Sequence, residues 1–294
     1  MKTCDVPSRH KSSRRSGFTL IELSIVLVII GLIVGGVLTG QNLIRAAELR
    51  ATLSQLEKYN TATRTFQGKY GALPGDILSS QACMFGFYCV TGASANTTGY
   101  GDGNGVIQGY NAAPYLDGGN YEGEVAMFFL HLSQAGLIDG FYGVGADVSV
   151  SGATVSGGSL AGLPKLTVPT PTGTVGEILP LAKLGNGNYI TVGSVGGNDY
   201  FVISGIKSID TAGDITSTNN LSPADAYAID AKTDDGLPGT GNVFAIDTAT
   251  TSINHSNGTG LTTATANNCI TGGAYYTSGT FANVMNCSLR LKFQ

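Results

Sequence analysis

Phe18 to Leu38 is a run of 21 residues in which only Thr19, Glu22 and Ser24 are polar, and it follows directly on a basic stretch ending Arg14-Arg15-Ser16-Gly17. At helical rise such a run is about 32 Å long, which matches the hydrocarbon thickness of a bilayer. The pattern predicts one membrane-spanning helix. Lys2, Arg9, Lys11, Arg14 and Arg15, against the single acid Asp5, place its N-terminal side in the cytoplasm, so the chain from about Gln41 onward is expected to be exported. A secretory signal peptide has a similar outline, but its apolar core usually covers only about 7 to 15 residues and leads to a small-x-small cleavage site. No clear site of that kind follows here, and helical patterning continues past the apolar run. Ala46, Leu49, Leu53, Leu56, Asn60 and Thr63 recur at spacings of three and four, while Arg45, Glu48, Arg50, Glu57 and Arg64 fall largely elsewhere around the helix. One helix over 18–67, about 75 Å long, is the expectation, with Gly68, Gly71 and Pro74 as its stop.

Charge narrows the choice of partners. The chain carries a net charge of -4, and removing the +4 of its first seventeen residues leaves -8 on the remainder. An acidic body lacks the surplus of Lys and Arg that phosphate neutralisation requires, so no nucleic-acid partner is expected. Apolar residues make up 42% and charged ones 12%, which permits a packed core and argues against a disordered polyampholyte. The 43 glycines show no period of three and point to loops instead of collagen. Four of the five cysteines, Cys83, Cys89, Cys269 and Cys287, follow the apolar run, and Cys4 precedes it. An even number beyond a membrane segment suits two disulfides in an oxidising compartment, with four buried free thiols as the alternative. Of the three pairings open to them, the sequence-local one, Cys83 with Cys89 and Cys269 with Cys287, is expected.

Beyond the long helix the pattern is mixed. Glu122 to Leu137 reads as a second helix with Val125, Phe128, Phe129 and Leu132 on one face. Ser222, Pro223 and Asp225 read as N-cap, first helical position and acidic first turn of a short helix ending near Asp234-Asp235-Gly236. Strands are expected at Asp147–Val150, Tyr189–Val192, Tyr200–Ile206 and Val243–Ile246, and in the C-terminal run where Met285, Cys287, Leu289, Leu291 and Phe293 alternate with polar residues. Gly152 to Pro180 reads mostly as loop. The fold class is therefore α+β, a long N-terminal helix against an antiparallel sheet, divided as leader 1–17, helix 18–68 and exported globular domain 69–294.

The residues Gly17-Phe18-Thr19-Leu20-Ile21-Glu22-Leu23, with a basic flank before and an unbroken apolar helix after, resemble the N-terminus of type IV pilins and type II secretion pseudopilins. The resemblance implies a cut between Gly17 and Phe18 by a prepilin peptidase, N-methylation of Phe18, and Glu22 as the family's assembly acid. It also implies other pilin or pseudopilin subunits and an inner-membrane assembly platform as partners, with the chain anchored in a bacterial inner membrane and its domain in the periplasm. Segments such as Tyr70-Gly71-Ala72-Leu73-Pro74-Gly75-Asp76, Gly101-Asp102-Gly103-Asn104-Gly105, His131-Leu132-Ser133-Gln134-Ala135-Gly136-Leu137-Ile138 and Asp234-Asp235-Gly236-Leu237-Pro238 look like parts of large prepilin-type proteins. Many main-filament pilins carry a proline partway along the membrane helix, and Leu23 to Leu73 here contains none. A minor tip pilin acting as an adhesin or substrate-binding module is therefore kept as an alternative to the structural filament subunit.

The physical case for Glu22 is that a carboxylate in an apolar membrane segment is costly unless paired, and no basic side chain follows it before Arg45. The cation nearest to it would be the α-amine that cleavage frees at Phe18. A glutamate snorkelling to the interface is the bland alternative. Gly31-x-x-x-Gly35 and Gly36-x-x-x-Gly40 offer small faces for close helix approach. Asp102 to Ile107 matches only the middle of an EF-hand loop, since Tyr100 and Asn111 occupy its first and last ligand positions. Asp230, Asp234 and Asp235 are a candidate calcium site, with a helix-terminal turn as its rival, and no other cofactor is expected. His131 lies in an amphipathic pattern and reads as structural. With no H-E-x-x-H, C-x-x-C or G-x-S-x-G in the sequence, no catalytic residues and no enzymatic activity are expected.

Overall fold

The computed structural model describes residues 17, 19–89, 101–107, 117–118, 123–142, 175–209, 215–246, 253–254 and 269–293. The chain divides into two compact units, Met1–Ala46 and Ala47–Gln294. It is an α+β protein whose first element, helix α1, covers Leu20–Tyr70. Its C-terminal end lies three residues beyond the expected one, because Gly68 is accommodated inside the last turn. Gly71 stops it: with φ at +79° it adopts the left-handed conformation and donates its N–H to the Gln67 carbonyl. Phe18 lies outside the described residues.

Within the first unit the large apolar side chains from Leu20 to Ile44 are all more than half exposed. A helix this long and apolar is capable of crossing a membrane. Within the second unit α1 becomes amphipathic and buries Leu49, Thr52, Leu56, Tyr59, Ala62, Thr63 and Phe66. This stripe is rotated from the predicted one: Leu53 and Asn60 are only half-buried, and Tyr59 and Phe66 take the core positions. The two aromatic residues win because their partners lie opposite them. Tyr59 meets Phe129 edge-on at 5.5 Å between centroids, and Phe66 stacks on His131 at 6.1 Å.

Helix α2, Ser79–Met84, was not foreseen from the sequence. It is one and a half turns long and leads into the Cys83–Cys89 disulfide. After the short β1, Asp117–Gly118, helix α3 covers Gly123–Gln134, within the predicted 122–137. All of Gly123 to Leu132 is buried, so α3 is a fully enclosed core helix and not the one-sided helix that four apolar positions suggested. Phe128 contacts Phe201 of the sheet and Phe293, just past its last strand, at 6.1 and 5.8 Å.

The principal sheet has five antiparallel strands. β2, Asn188–Val195, and β3, Asn198–Ile209, form a hairpin through Gly196-Gly197, both at positive φ as a two-residue hairpin turn demands. β4, Ile215–Thr218, pairs with β3 across a bulge between Ile206 and Ser208. Helix α4, Pro223–Thr233, precedes β5, Val243–Ile246, and the final strand β9, Ser288–Lys292, lies between β3 and β5. The outer pairs are the short β6, Ile253–Asn254, with β1, and β7, Ile270–Thr271, with β8, Ala274–Tyr275.

Alternation settles which face is core: Ile190, Val192, Phe201, Ile203, Val243, Ala245, Leu289 and Leu291 join the same cluster as α1 and α3. On the opposite face Tyr200, Val202 and Ile246 form a smaller cluster, where the Arg290 guanidinium lies 4.6 Å from the Phe244 ring and 5.1 Å from that of Tyr200. The strands expected at 189–192 and 200–206 extend further at both ends, because hairpin pairing recruits polar flanks such as Asn188 and Asn198. The C-terminal alternation enters the ladder only from Ser288, and Val284 and Met285 stay in a turn. The strand expected at 147–150 lies outside the described residues, as does most of the 152–180 loop, of which Val175–Glu177 forms a 3₁₀ turn.

Candidate functional site

The start of α1 is built by a reciprocal cap. The first-turn N–H groups of any helix lack internal acceptors, and in hydrocarbon no water replaces them. Here the Thr19 N–H and the Thr19 hydroxyl both donate to Glu22 Oε2 at 2.7 Å, and the Glu22 N–H donates back to Thr19 Oγ1 at 3.3 Å. This is a capping box of the T-x-x-E type. Glu22 therefore has polar partners in its own chain, and Thr19-Leu20-Ile21-Glu22 carries the sequence signature of that cap. The carboxylate is drawn back towards the helix start, and the N–H it holds belongs to the residue directly after Phe18.

The match of this segment to a family model decides what it is: residues 12–38 fit the prokaryotic N-terminal methylation motif. The chain carries a type IV pilin-like prepilin N-terminus. Neither a curated protein nor a solved structure matches it significantly. The matched residues take in Gly17, Phe18 and Glu22, so the motif, the apolar helix and the capped start coincide in one segment. Processing by a prepilin peptidase and assembly with other pilins are what such a motif implies.

The two sequence-local disulfides are both formed, Cys83–Cys89 and Cys269–Cys287, with Cα separations of 5.4 and 5.2 Å. The second unit also gathers acids in two places. At the end of α4, ligand atoms of Asp230, Asp234 and Asp235 lie within 4.8 Å of one another. All six oxygens belong to carboxylates, the donor type a calcium ion takes, but five of them already accept hydrogen bonds. Asp230 accepts from the Gly236 N–H and the Tyr275 hydroxyl, Asp234 from the N–H groups of Asn242 and Val243, and Asp235 from the Leu237 N–H and the Thr240 hydroxyl. These hydrogen bonds build the helix-terminal turn that is the rival reading, and the three carboxylates are also close enough together to hold a metal ion. Burial raises the Asp230 pKa, and the Tyr275 and Gly236 hydrogen bonds oppose that rise.

The second group, Asp76, Asp102 and Glu124, was not singled out from the sequence, because its members are brought together only by tertiary packing. Asp76 Oδ1 accepts from the N–H groups of Gly103 and Asn104 at 2.8 and 3.1 Å, and its Oδ2 from Gly105 at 2.9 Å. Glu124 Oε1 accepts from the Asp102 N–H, and Asp199 of β3 accepts from the Ile107 N–H. The segment 101–107 is thus held by buried carboxylates from the turn between α1 and α2, from α3 and from β3. A side chain at Gly101 would meet the Ile77 carbonyl oxygen at 2.3 Å, which is why this sequence has glycine there. Burial pushes Asp76 and Asp199 up to about 6, against the pull of the backbone donors.

His131 is enclosed. Its Nδ1 accepts from the Gly75 N–H at 3.0 Å, which makes Nε2 the protonated nitrogen that donates to the Tyr88 carbonyl at 3.2 Å. Burial pulls its pKa down to about 4.

Proposed function

We propose that the chain is a structural subunit of a type IV pilus-like or type II secretion pseudopilus filament, cut between Gly17 and Phe18 and methylated at Phe18. The observation that carries this reading is the carboxylate of Glu22, the one charged side chain between Gly17 and Arg45, held at the first turn of a helix whose apolar side chains are unpacked within their own unit. Exposed apolar surface of this extent has to be covered, first by lipid and then by like helices. The partners are a prepilin peptidase and methyltransferase, other pilin or pseudopilin subunits and an inner-membrane assembly platform, and the second unit is exported to the periplasm. No catalysis is assigned: His131, one of the two histidines beyond the leader, has both ring nitrogens engaged. The tip-pilin reading rests on the proline-free α1, and subunit counting distinguishes it, with one copy per filament in place of many.

The capping box makes a discriminating experiment available. Glutamine at the third helical position also completes a capping box, so Glu22→Gln keeps the cap and removes the charge, whereas Glu22→Ala removes both. If assembly depends on a charge pair with the amine of a neighbouring subunit, both variants are cleaved and membrane-inserted normally and neither makes filaments. Filaments of normal number from Glu22→Gln alone reduce the role of Glu22 to capping. An intact leader on the wild-type protein by mass spectrometry refutes the processing assignment itself.

A further inference from the structure

Assembly of this chain poses an electrostatic problem, since beyond the leader each copy carries -8 and like bodies repel across distances of about 8 Å at physiological salt. Two stretches of the sequence avoid it. No charged residue or histidine occurs from Ile77 to Gly101, nor from Ser256 to Leu289. Each stretch contains one of the two disulfides, and each presents two adjacent large apolar side chains to solvent. In the first, Met84 is 83% exposed and Phe85 50%, on the loop closed by Cys83–Cys89. The Phe85 ring is braced edge-on by Tyr70 at 5.0 Å. Lys69 lies over the ring of Tyr70, the residue that braces Phe85. In the second, Val284 is 43% exposed and Met285 40%, on the turn just before Cys287. That turn is fixed by the N–H groups of Asn286 and Cys287 donating to the Leu221 carbonyl and by Ala224 donating to that of Ala282.

We propose that these two surfaces are the halves of one contact between successive copies, the Met84–Phe85 loop of one seating on the Val284–Met285 turn of the next. The inference rests on the filament reading and adds to it where the globular domains touch. Two different patches meeting head to tail give a heterologous contact, the class that propagates into an open filament when its rotation does not close, whereas either patch meeting its own copy would end at a dimer. Both halves are tied to the fold by a disulfide and neighbouring contacts, which limits the ordering cost when they meet, and methionine on each side adapts to an imperfect fit. Both are free of the acids that make the rest of the body repulsive.

A charge exchange tests the pairing in cells in which the variant is the sole copy. A lone charge buried in the contact has no partner, so Met84→Asp and Met285→Lys are each expected to lower sheared filament yield by about tenfold or more. Combining them pairs the two charges across the contact and is expected to restore most of the yield. Both positions are exposed, and disulfide mapping of each variant verifies that the domain has folded. Singles without effect overturn the proposal, as does a double variant no better than the singles. If the wild-type chain, processed and present in the membrane, forms no polymer, the filament reading fails first and this contact falls with it.

Discussion

His131 offers the sharpest test of how the second unit holds together. Its ring is stacked on Phe66 and meets Phe87 at a tilt, it bridges the Gly75 N–H and the Tyr88 carbonyl, and burial holds its pKa near 4 against an ordinary 6.5. Protonation would place a charge among aromatic rings and remove the acceptor that Gly75 uses. The sign follows: the folded state favours the neutral ring, so its contribution is complete above pH 6.5 and is lost as pH falls towards 4. At pH 4 the loss amounts to about 3 kcal/mol, taking 1.36 kcal/mol for each pH unit by which the neutral form is protected. Asp76 and Asp199 titrate in an overlapping range with the opposite sign, so wild type alone does not isolate the effect. Comparison with His131→Gln does, because the other groups are common to both chains. Denaturant unfolding followed by circular dichroism should give wild type the higher stability at pH 7, and that advantage should shrink by about 3 kcal/mol at pH 4. An advantage independent of pH, or a His131 imidazole titrating near 6.5 by NMR, refutes the burial argument.

Three further outcomes follow from the same packing. Replacing Cys287 with serine should cost about 3 kcal/mol and Cys89 about 2, the larger loop giving the larger loss in the chain-entropy model, as denaturant midpoints would show. The stability of wild type relative to Asp76→Asn should rise as pH falls through about 6, because a raised carboxyl pKa contributes below that value and is lost above it. Millimolar calcium should leave the thermal midpoint unchanged if the turn at Asp230, Asp234 and Asp235 is satisfied by its own hydrogen bonds, and a rise of several degrees would assign it a cation.

The sequence by itself determined the features that local chemistry enforces. A 21-residue apolar run has few alternatives to a helix, because in lipid every backbone N–H must be satisfied within the segment. Ser222 before Pro223 fixed the start of α4, where the serine hydroxyl oxygen accepts from the Asp225 N–H as a cap should. Short loops between Cys83 and Cys89 and between Cys269 and Cys287 made their pairing the cheapest to close. Tertiary structure decided whatever depends on partners distant in the chain. The face of α1 that is core was rotated by aromatic contacts from α3 and β3, since a period of three and four fixes a stripe only to within a residue or so when polar and apolar positions are mixed. The enclosure of α3 on all sides, and with it the fate of His131, follows from elements that cover it from both directions. Asp76, Glu124 and Asp199 stand far apart in sequence and carry no motif, and only the packing of the 101–107 segment against a turn, a helix and a strand turns them into one set of buried acceptors.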